Sequence, residues 1–560
     1  MPTRIMSEEY LELLIPSELA FAYERFGDIV QINDRISMFT VPTEILNECS
    51  ISEFYYSSFP TLFVPTQLEL YEDTQIRAVR NNPNLNLLGR DVIIGFIDTG
   101  IDYTHEAFKN PDNTTRIYSI WDQTIESETP QEGIIYGTEY SREQINEALA
   151  SEDPFSVVPS RDEVGHGTQM AGIAAGNIEE EKQFSGIAPQ AEIVVVKLKP
   201  AKQIIKKIFF VREGALCYQE SDILFGTKYI TELAERLRKP VVLCIGLGTS
   251  QGGHDGRGAL SSYLSTTSTK PGECAVIAAG NEANLRRHYR GTIPPTTRTD
   301  TFELRIAAQD TSFGFELWEY SLQRVSIEII SPSGERIGPI FPGIKECIEN
   351  RLVFESTIIW VNNIITETET GTQLILVRFR NATEGIWQFR ITSLAEQYSV
   401  MYDVWLPMGD IISEDTYFLQ SDPNITITSP GNAPLSMTIT SYDSLTGAIA
   451  VRSGRGFTRI GTVKPDLAAP GVNLPAPLPG NQYGTFSGTS AAASVGAGCA
   501  ALLFEWAMVR GNYPNINGNE IKTLLIRGAR QSPGIDYPSP IWGYGKIDVL
   551  NVFENIIKFR

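Results

Sequence analysis

The run Val92-Ile-Ile-Gly-Phe-Ile97 limits this chain of 560 residues more than any other feature. A strand with no polar alternation cannot keep one face in water, so it belongs in a parallel sheet covered on both sides. Parallel strands need long crossovers, which helices commonly supply. Further apolar strands are predicted at Glu192–Leu198, Val241–Ile245 and Ala275–Ala278, with an amphipathic helix near Asp222–Arg238. This alternation predicts an α/β core. The first strand stops abruptly at Asp98-Thr-Gly100 and the last at Ala279-Gly280-Asn281. Strand carboxyl ends are where chemistry collects in open α/β sheets. Asp and Asn are also ordinary turn formers, so position alone leaves both roles open.

Two helix starts carry further candidates. In Gly484-Thr-Phe-Ser487-Gly-Thr-Ser490-Ala-Ala-Ala493, Ser490 falls on the first turn of a helix of small and apolar residues, predicted to run to Arg510 and stop at Gly511. The positive end of such a helix stabilises negative charge, although a serine there is ordinarily an N-cap. In Gly165-His166-Gly167-Thr168, a histidine opens a second small-residue helix. The chain has four histidines, so candidates for a base are few; His105, His254 and His288 read as structural or peripheral. Arg286, Arg287 and Arg290 follow Asn281 and either favour acidic substrates or pair with nearby carboxylates.

Two regions differ from the core. Residues 1–67 predict strands at Leu11–Ile15 and Ile29–Val41 around a short helix at Ser17–Phe26, then an extended segment from Tyr55 to Gln67, where prolines forbid helix. Residues 293–420 predict seven strands without a helix (Phe302–Ala307, Gly314–Glu319, Val325–Ile330, Val353–Val361, Leu374–Phe379, Trp387–Ile391 and Val400–Leu406), which reads as a β-sandwich inserted as one unit. Residues 68–292 and 421–560 then form the α/β unit.

A net charge of −21 argues against nucleic acid and anionic membrane surfaces as partners. The six cysteines, at 49, 217, 244, 274, 347 and 499, have no short paired spacing, so neither a disulfide framework nor a zinc site is expected. The first residues lack an ordinary secretion signal, and no apolar run is expected to reach the roughly 18 residues that span a bilayer. These features predict a protein made in the cytoplasm.

Asp98, His166, Asn281 and Ser490 follow one another in the order acid, base, amide, nucleophile. Asp98-Thr-Gly100, Gly165-His-Gly-Thr168, Ala278-Ala-Gly-Asn281 and Gly488-Thr-Ser490-Ala-Ala together resemble the motifs of the subtilase family of serine peptidases, over about residues 90–292 and 423–548. The resemblance implies a catalytic triad of Asp98, His166 and Ser490, with Asn281 in the oxyanion hole. It implies that Gly246, Leu247 and Gly248 pair with an extended substrate, while Ala278, Ala279 and Gly280 line the pocket for the side chain before the scissile bond. Gly246 stands where the family usually has serine. The implied fold is a three-layer parallel-sheet core with an N-terminal α+β propeptide and an inserted jelly-roll β-sandwich.

Among subtilases, the sequence most resembles the clostridial germination-specific Csp type. That group has a short propeptide, which cuts itself free and stays bound as an inhibitor. Its implied protein substrate is a precursor of a spore cortex-lytic enzyme, and its implied location is the spore. Self-cleavage is placed near Gln67. The loop Asn177–Phe184 departs from the family's calcium-binding pattern, so no metal or other cofactor is implied. The competing expectation is a non-catalytic binding or signalling module on the same fold, and the sandwich either binds a carbohydrate or protein ligand or limits access and adds stability.

Overall fold

The computed structural model describes residues 2–23, 29–65, 74–127, 131, 133–182, 184–320, 323–344 and 346–558. An eight-stranded sheet lies at its centre, in the order Leu467–Pro470, Met437–Tyr442, Glu273–Ala278, Val241–Ile245, Ile93–Asp98, Glu192–Lys197, Ile117–Asp122, Thr138–Ser141. All neighbours are parallel except the last pair, which is antiparallel. Ile93–Asp98 is buried along its whole length, as its unbroken apolar run requires. The helices His166–Ala175 and Thr489–Phe504 cover one face, with Ile94, Phe96 and Val276 beneath them. The helices Glu220–Leu237 and Ala259–Thr267 cover the other, over Ile93, Ile97 and Leu243. The result is the expected three-layer α/β core.

The helix that carries Ser490 continues through a π-turn, Glu505–Val509. Thr489–Val509 spans 21 residues, and its most apolar 18-residue window has mean hydropathy 1.6, long and apolar enough to cross a bilayer, contrary to the sequence expectation. Ser490, Ser494 and Glu505 interrupt the apolar run in sequence. Its most apolar window is 83% buried inside the protein, so it is the core helix of the α/β layers.

The N-terminal residues form a three-stranded antiparallel sheet with Ile36–Pro42 between Tyr10–Pro16 and Ile29–Gln31. The expected single strand at 29–41 is broken by a turn in which Asn33 Oδ1 accepts from the amides of Arg35 and Ile36, both at 2.8 Å. A 3₁₀ turn at Ser17–Leu19 and a helical turn at Ala20–Tyr23 replace the first part of the expected helix; its end lies outside the described residues. Buried Glu12 fastens this sheet to the core by accepting from Lys202 Nζ and, at 3.1 Å, from Gln219 Nε2. Further along, Leu62–Pro65 runs as a strand between Tyr218–Gln219 and Leu247–Gly248, antiparallel to both.

Between the core strands Glu273–Ala278 and Met437–Tyr442, the chain builds two antiparallel sheets packed face to face. One has the order His288–Ile293, Val400–Trp405, Ser312–Glu319, Leu374–Arg380, Ile358–Ile364, Ile348–Arg351; the other runs Arg336–Ile340, Val325–Ile330, Gly385–Ser393, Thr299–Ile306, Tyr417–Phe418. Their shared core is rich in aromatic contacts, with Phe302 stacked on Phe389 at 4.9 Å and Phe313 on Phe379 at 5.1 Å. Strand pairing reaches back to His288, and the short strands at 288–293, 336–340, 348–351 and 417–418 were not legible in the sequence. The expected strand Val353–Val361 begins only at Ile358, because the Glu335 carboxylate takes the amides of Val353 and Phe354 at 2.9 and 3.1 Å in place of a neighbouring strand.

A disulfide joins Cys49 to Cys347, against the expectation of none. The two half-cystines lie 298 residues apart, and only the docking of the N-terminal unit on the sandwich brings their Cα atoms to 5.4 Å. The other four cysteines are buried free thiols. Thiol titration of the denatured protein should therefore find four reactive thiols without reductant and six with it. Non-reducing peptide maps should contain one linked pair carrying Cys49 and Cys347, and six thiols before reduction would contradict the bridge.

The same interface holds a titrating carboxyl. Glu316 Oε1 accepts from Tyr56 Oη at 2.5 Å, and Oε2 accepts from Gly252 N at 2.9 Å and Trp318 Nε1 at 3.0 Å. Burial outweighs these donors and holds its pKa up at about 7, above the ordinary 4.5. From pH 4.5 to 7 the folded chain keeps a proton that the unfolded chain has lost, so stability falls as pH rises through that window. The contribution is up to about 3 kcal/mol. Glu316→Gln should flatten the fall in melting temperature between pH 5 and pH 7.5; identical slopes for variant and wild type would refute this.

Candidate active site

Three chain segments meet at one end of the parallel sheet. Asp98 ends the Ile93–Asp98 strand, His166 opens its helix, and Ser490 is the second residue of its own. His166 Nδ1 stands 2.7 Å from Asp98 Oδ1, and His166 Nε2 stands 3.2 Å from Ser490 Oγ. Gly246 O, 3.0 Å from Ser490 Oγ, is a second acceptor for the same hydroxyl proton. All three side chains are buried, and the ring of Phe486 meets the imidazole edge-on at 5.3 Å. An imidazole tied to a buried carboxylate through one nitrogen presents the other to the hydroxyl as a proton acceptor.

The imidazole owes its place to a residue the sequence reading passed over. Asp162, itself buried, accepts from Gly165 N at 2.8 Å, Thr168 N at 2.9 Å, Thr168 Oγ1 at 2.7 Å and Thr99 Oγ1 at 2.7 Å. One carboxylate thus caps the histidine helix and binds it to the loop after Asp98. Thr99 completes the link, taking Gly167 N at 3.0 Å and giving its own amide to Asp98 Oδ1 at 2.7 Å. A Cβ at Gly167 would come within 2.1 Å of Gly100 O, so only glycine lets the two segments lie this close. The available signal was an acid four residues ahead of a helix-opening histidine, which reads as a simple cap.

Asn281 follows the Glu273–Ala278 strand. Its Oδ1 accepts from Thr489 N at 3.2 Å, which fixes the amide orientation, and its buried Nδ2 has no hydrogen-bond partner among the described residues. A buried donor without an acceptor costs free energy unless a ligand supplies one. The neighbouring Gly280 amide is used internally, donating to Thr489 Oγ1 at 3.1 Å.

The expected substrate edge lies beside Ser490. Leu247 pairs with Pro65 and Gly248 with Val64, so the edge holds an extended segment of this same chain. Ala278 pairs within the sheet with Ile439, while the carbonyls of Ala279 and Gly280 accept from Thr428 N at 3.1 Å and Gly454 N at 2.7 Å. Gln67 lies outside the described residues. The glycine at 246 has a local cause: a Cβ there would stand 2.2 Å from Met170 Sδ and 3.0 Å from His166 Cε1. Methionine thus fills space that a side chain at 246 would need.

The neighbouring serines, the other histidines and the arginines after Asn281 are engaged elsewhere. Ser494 Oγ donates to Ser490 O at 3.0 Å, inside the helix, and Ser487 Oγ accepts from Asn473 N at 3.4 Å. His105 caps a turn, with Ala107 N donating to its Nδ1 at 3.0 Å. His254 and His288 stack on either face of Trp405, at 4.0 and 4.9 Å. The arginines after Asn281 brace the sandwich: Arg287 pairs with buried Glu282 at 2.7 Å, Arg286 lies over the Tyr417 ring at 3.8 Å, and Arg290 stands 3.8 Å from Asp403. Among the described residues, no group of three or more His, Cys, Asp or Glu side chains could hold a metal ion.

A parallel sheet carrying Asp98, His166 and Ser490 at one end is a serine-hydrolase arrangement. The subtilase family profile matches residues 89–299 and 414–545, and the chain belongs to that family. The CspB protease of Clostridium perfringens has a similar structure, with a TM-score of 0.77, 32% sequence identity, and coverage of 87% of this chain and 97% of that one. A C5a peptidase of Streptococcus pyogenes is 21% identical over 495 residues, 82% of this chain; the chain spans 39% of that protein's length. The serine protease AprX of Bacillus subtilis is 32% identical over 146 residues, covering 22% of this chain and 31% of AprX.

The Met170 contact yields a test that runs against family habit. Gly246→Ser, which installs the family's usual residue, should slow labelling of Ser490 by a fluorophosphonate at least tenfold by displacing Met170 and the imidazole. Met170→Ala on that background should restore most of the rate. Unchanged labelling of the single variant would show that the contact does not position His166.

Proposed function

We propose that this chain is a serine endopeptidase that cuts its own N-terminal segment and then activates a precursor protein by limited proteolysis. The observation that carries the reading is the chain of contacts from Asp98 through His166 to Ser490, at 2.7 and 3.2 Å, beside an Asn281 Nδ2 that has no partner among the described residues. Ser490 Oγ attacks the peptide carbonyl as neutral His166 takes its proton. The same imidazole then gives that proton to the leaving amine. Ionised Asp98 holds the imidazole in the tautomer with Nδ1 protonated and stabilises the imidazolium. Asn281 Nδ2 and the Ser490 backbone amide hold the oxyanion of the tetrahedral intermediate.

Residues 1–67 act as a propeptide in this reading, with the cut near Gln67. The pairing of Val64 and Pro65 with the Leu247–Gly248 edge supports that register, because it is how an extended substrate would lie. The Glu12–Lys202 contact and the Cys49–Cys347 bridge support a cleaved segment that stays on as an inhibitor. The resemblance to the germination-specific subtilases, supported by likeness to the CspB protease across most of both chains, extends the proposal to a spore protein whose substrate is the precursor of a cortex-lytic enzyme.

Intact mass and N-terminal sequencing of the purified chain test the chemistry. Wild type should split near Gln67 and take up one fluorophosphonate at Ser490, whereas Ser490→Ala should remain whole and unlabelled. Asn281→Ala should split about 10²–10³-fold more slowly, the size of effect measured for the corresponding amide in a subtilisin. A whole, unlabelled wild type would leave a non-catalytic module as the reading. Incubation with a cortex-lytic precursor tests the narrower claim, which fails if an active chain leaves it uncut.

A further inference from the structure

We propose that the inserted sandwich is one wall of the substrate groove, selecting apolar side chains at two alternate positions upstream of the cut. This rests on the endopeptidase reading and names the substrate class of that site: an extended segment with a branched residue no larger than valine at one position and a larger apolar residue two places before it.

The groove is seen occupied. Leu62, Phe63 and Val64 lie in a strand hydrogen-bonded on both sides, facing Gln219 and Tyr218 on one edge and Gly248 on the other, and all three side chains are buried. Backbone pairing of this kind accepts any extended chain, so discrimination falls to the side-chain wells. Alternation along the strand sends Phe63 one way and its neighbours the other. Phe63 joins Leu198, Tyr218 and Leu247 over the α/β core. Leu62 and Val64 join Trp405, Met408 and Ile411, which belong to the last long sandwich strand and the turn that follows it.

The two wells differ in size. At Val64 the fit is closed: a Cβ on Gly409 would stand 2.5 Å from Val64 Cγ2. Gly409 has φ of +58°, in the left-handed region that favours glycine, so the turn presents bare backbone to the Val64 side chain. At Leu62 there is slack, a cavity of about 30 Å³ lined in part by Phe209, Trp405, Met408 and Ile411. The wall is braced from behind. Trp405 is held between the rings of His254 and His288, and its Nε1 donates to Ile425 O at 3.0 Å. A braced wall can reject an oversized side chain because it cannot yield cheaply.

Self-cleavage supplies the test, followed by intact mass during cell-free synthesis of the whole chain. Gly409→Ala should slow the cut at least tenfold by driving a methyl into Val64. Adding Val64→Ala, which removes both γ-carbons, should bring the rate back to within threefold of wild type. A Gly409→Ala chain that simply misfolds would not be rescued this way. Sites cut in a peptide library by self-cleaved wild type, after the Cys49–Cys347 bridge is reduced and the N-terminal segment removed, should show valine or smaller at the Val64 position and leucine-sized or larger apolar residues at the Leu62 position. The Gly409→Ala enzyme should shift only the first preference, towards alanine. Wild-type speed in the single variant, no rescue in the double, or identical library profiles would each overturn the proposal. A wild type that neither splits nor takes up fluorophosphonate would instead bring down the endopeptidase reading beneath it.

Discussion

One buried carboxylate holds the functional end of this molecule together. Asp162 accepts four hydrogen bonds, three from the segment that carries His166 and one from the threonine beside Asp98. Two loops from separate strand–helix crossovers are thereby fixed in one geometry before the imidazole makes any contact of its own. A charge this deep is costly unless every lone pair is used, and here the donors converge from both loops. Ser490 arrives from far along the chain, on a helix whose first amide is tied to Asn281 Oδ1. The parallel sheet makes the convergence possible by ending its strands in one plane. The local polar contacts then set the distances.

How much of this could be read in the sequence depended on the range of the interaction responsible. The sheet was legible because burial on both faces leaves an unbroken apolar run, and Ile93–Asp98 and Val241–Ile245 fall where such runs placed them. Asp98, His166, Asn281 and Ser490 were legible because each is a reactive residue type at the end of an element. Asp162 was not, since an acid before a helix resembles countless caps and its link to Thr99 spans 63 residues. The Cys49–Cys347 bridge was hidden for the same reason. Short sandwich strands such as Ile348–Arg351 carry too few apolar residues to show a period, and pairing with Ile358–Ile364 makes them strands. The apolar length of Thr489–Val509 was masked by its serines, although the helix itself was plain.

The sandwich and the N-terminal unit depend on each other as much as either depends on the core. Arg380 pairs with Glu48 at 2.9 Å, Ser57 Oγ meets Thr368 Oγ1 at 2.6 Å, and Tyr56 shares Glu316 with the loop at Gly252. The sandwich therefore faces two partners at once, the folded unit on its flank and the extended strand in the groove. This accounts for an insertion placed between Asn281 and Ser490, where it can reach the groove without disturbing the sheet.

The bridge between residues 49 and 347 also changes what dissociation means for this molecule. Were the backbone opened beyond Pro65, the N-terminal unit would remain attached through sulfur, at an effective concentration on the order of millimolar even in a very dilute solution. Dilution could not then separate the two parts, and a rebinding event would need no encounter. The lifetime of the closed state would be governed by the thiol–disulfide balance of the surroundings instead of by affinity alone.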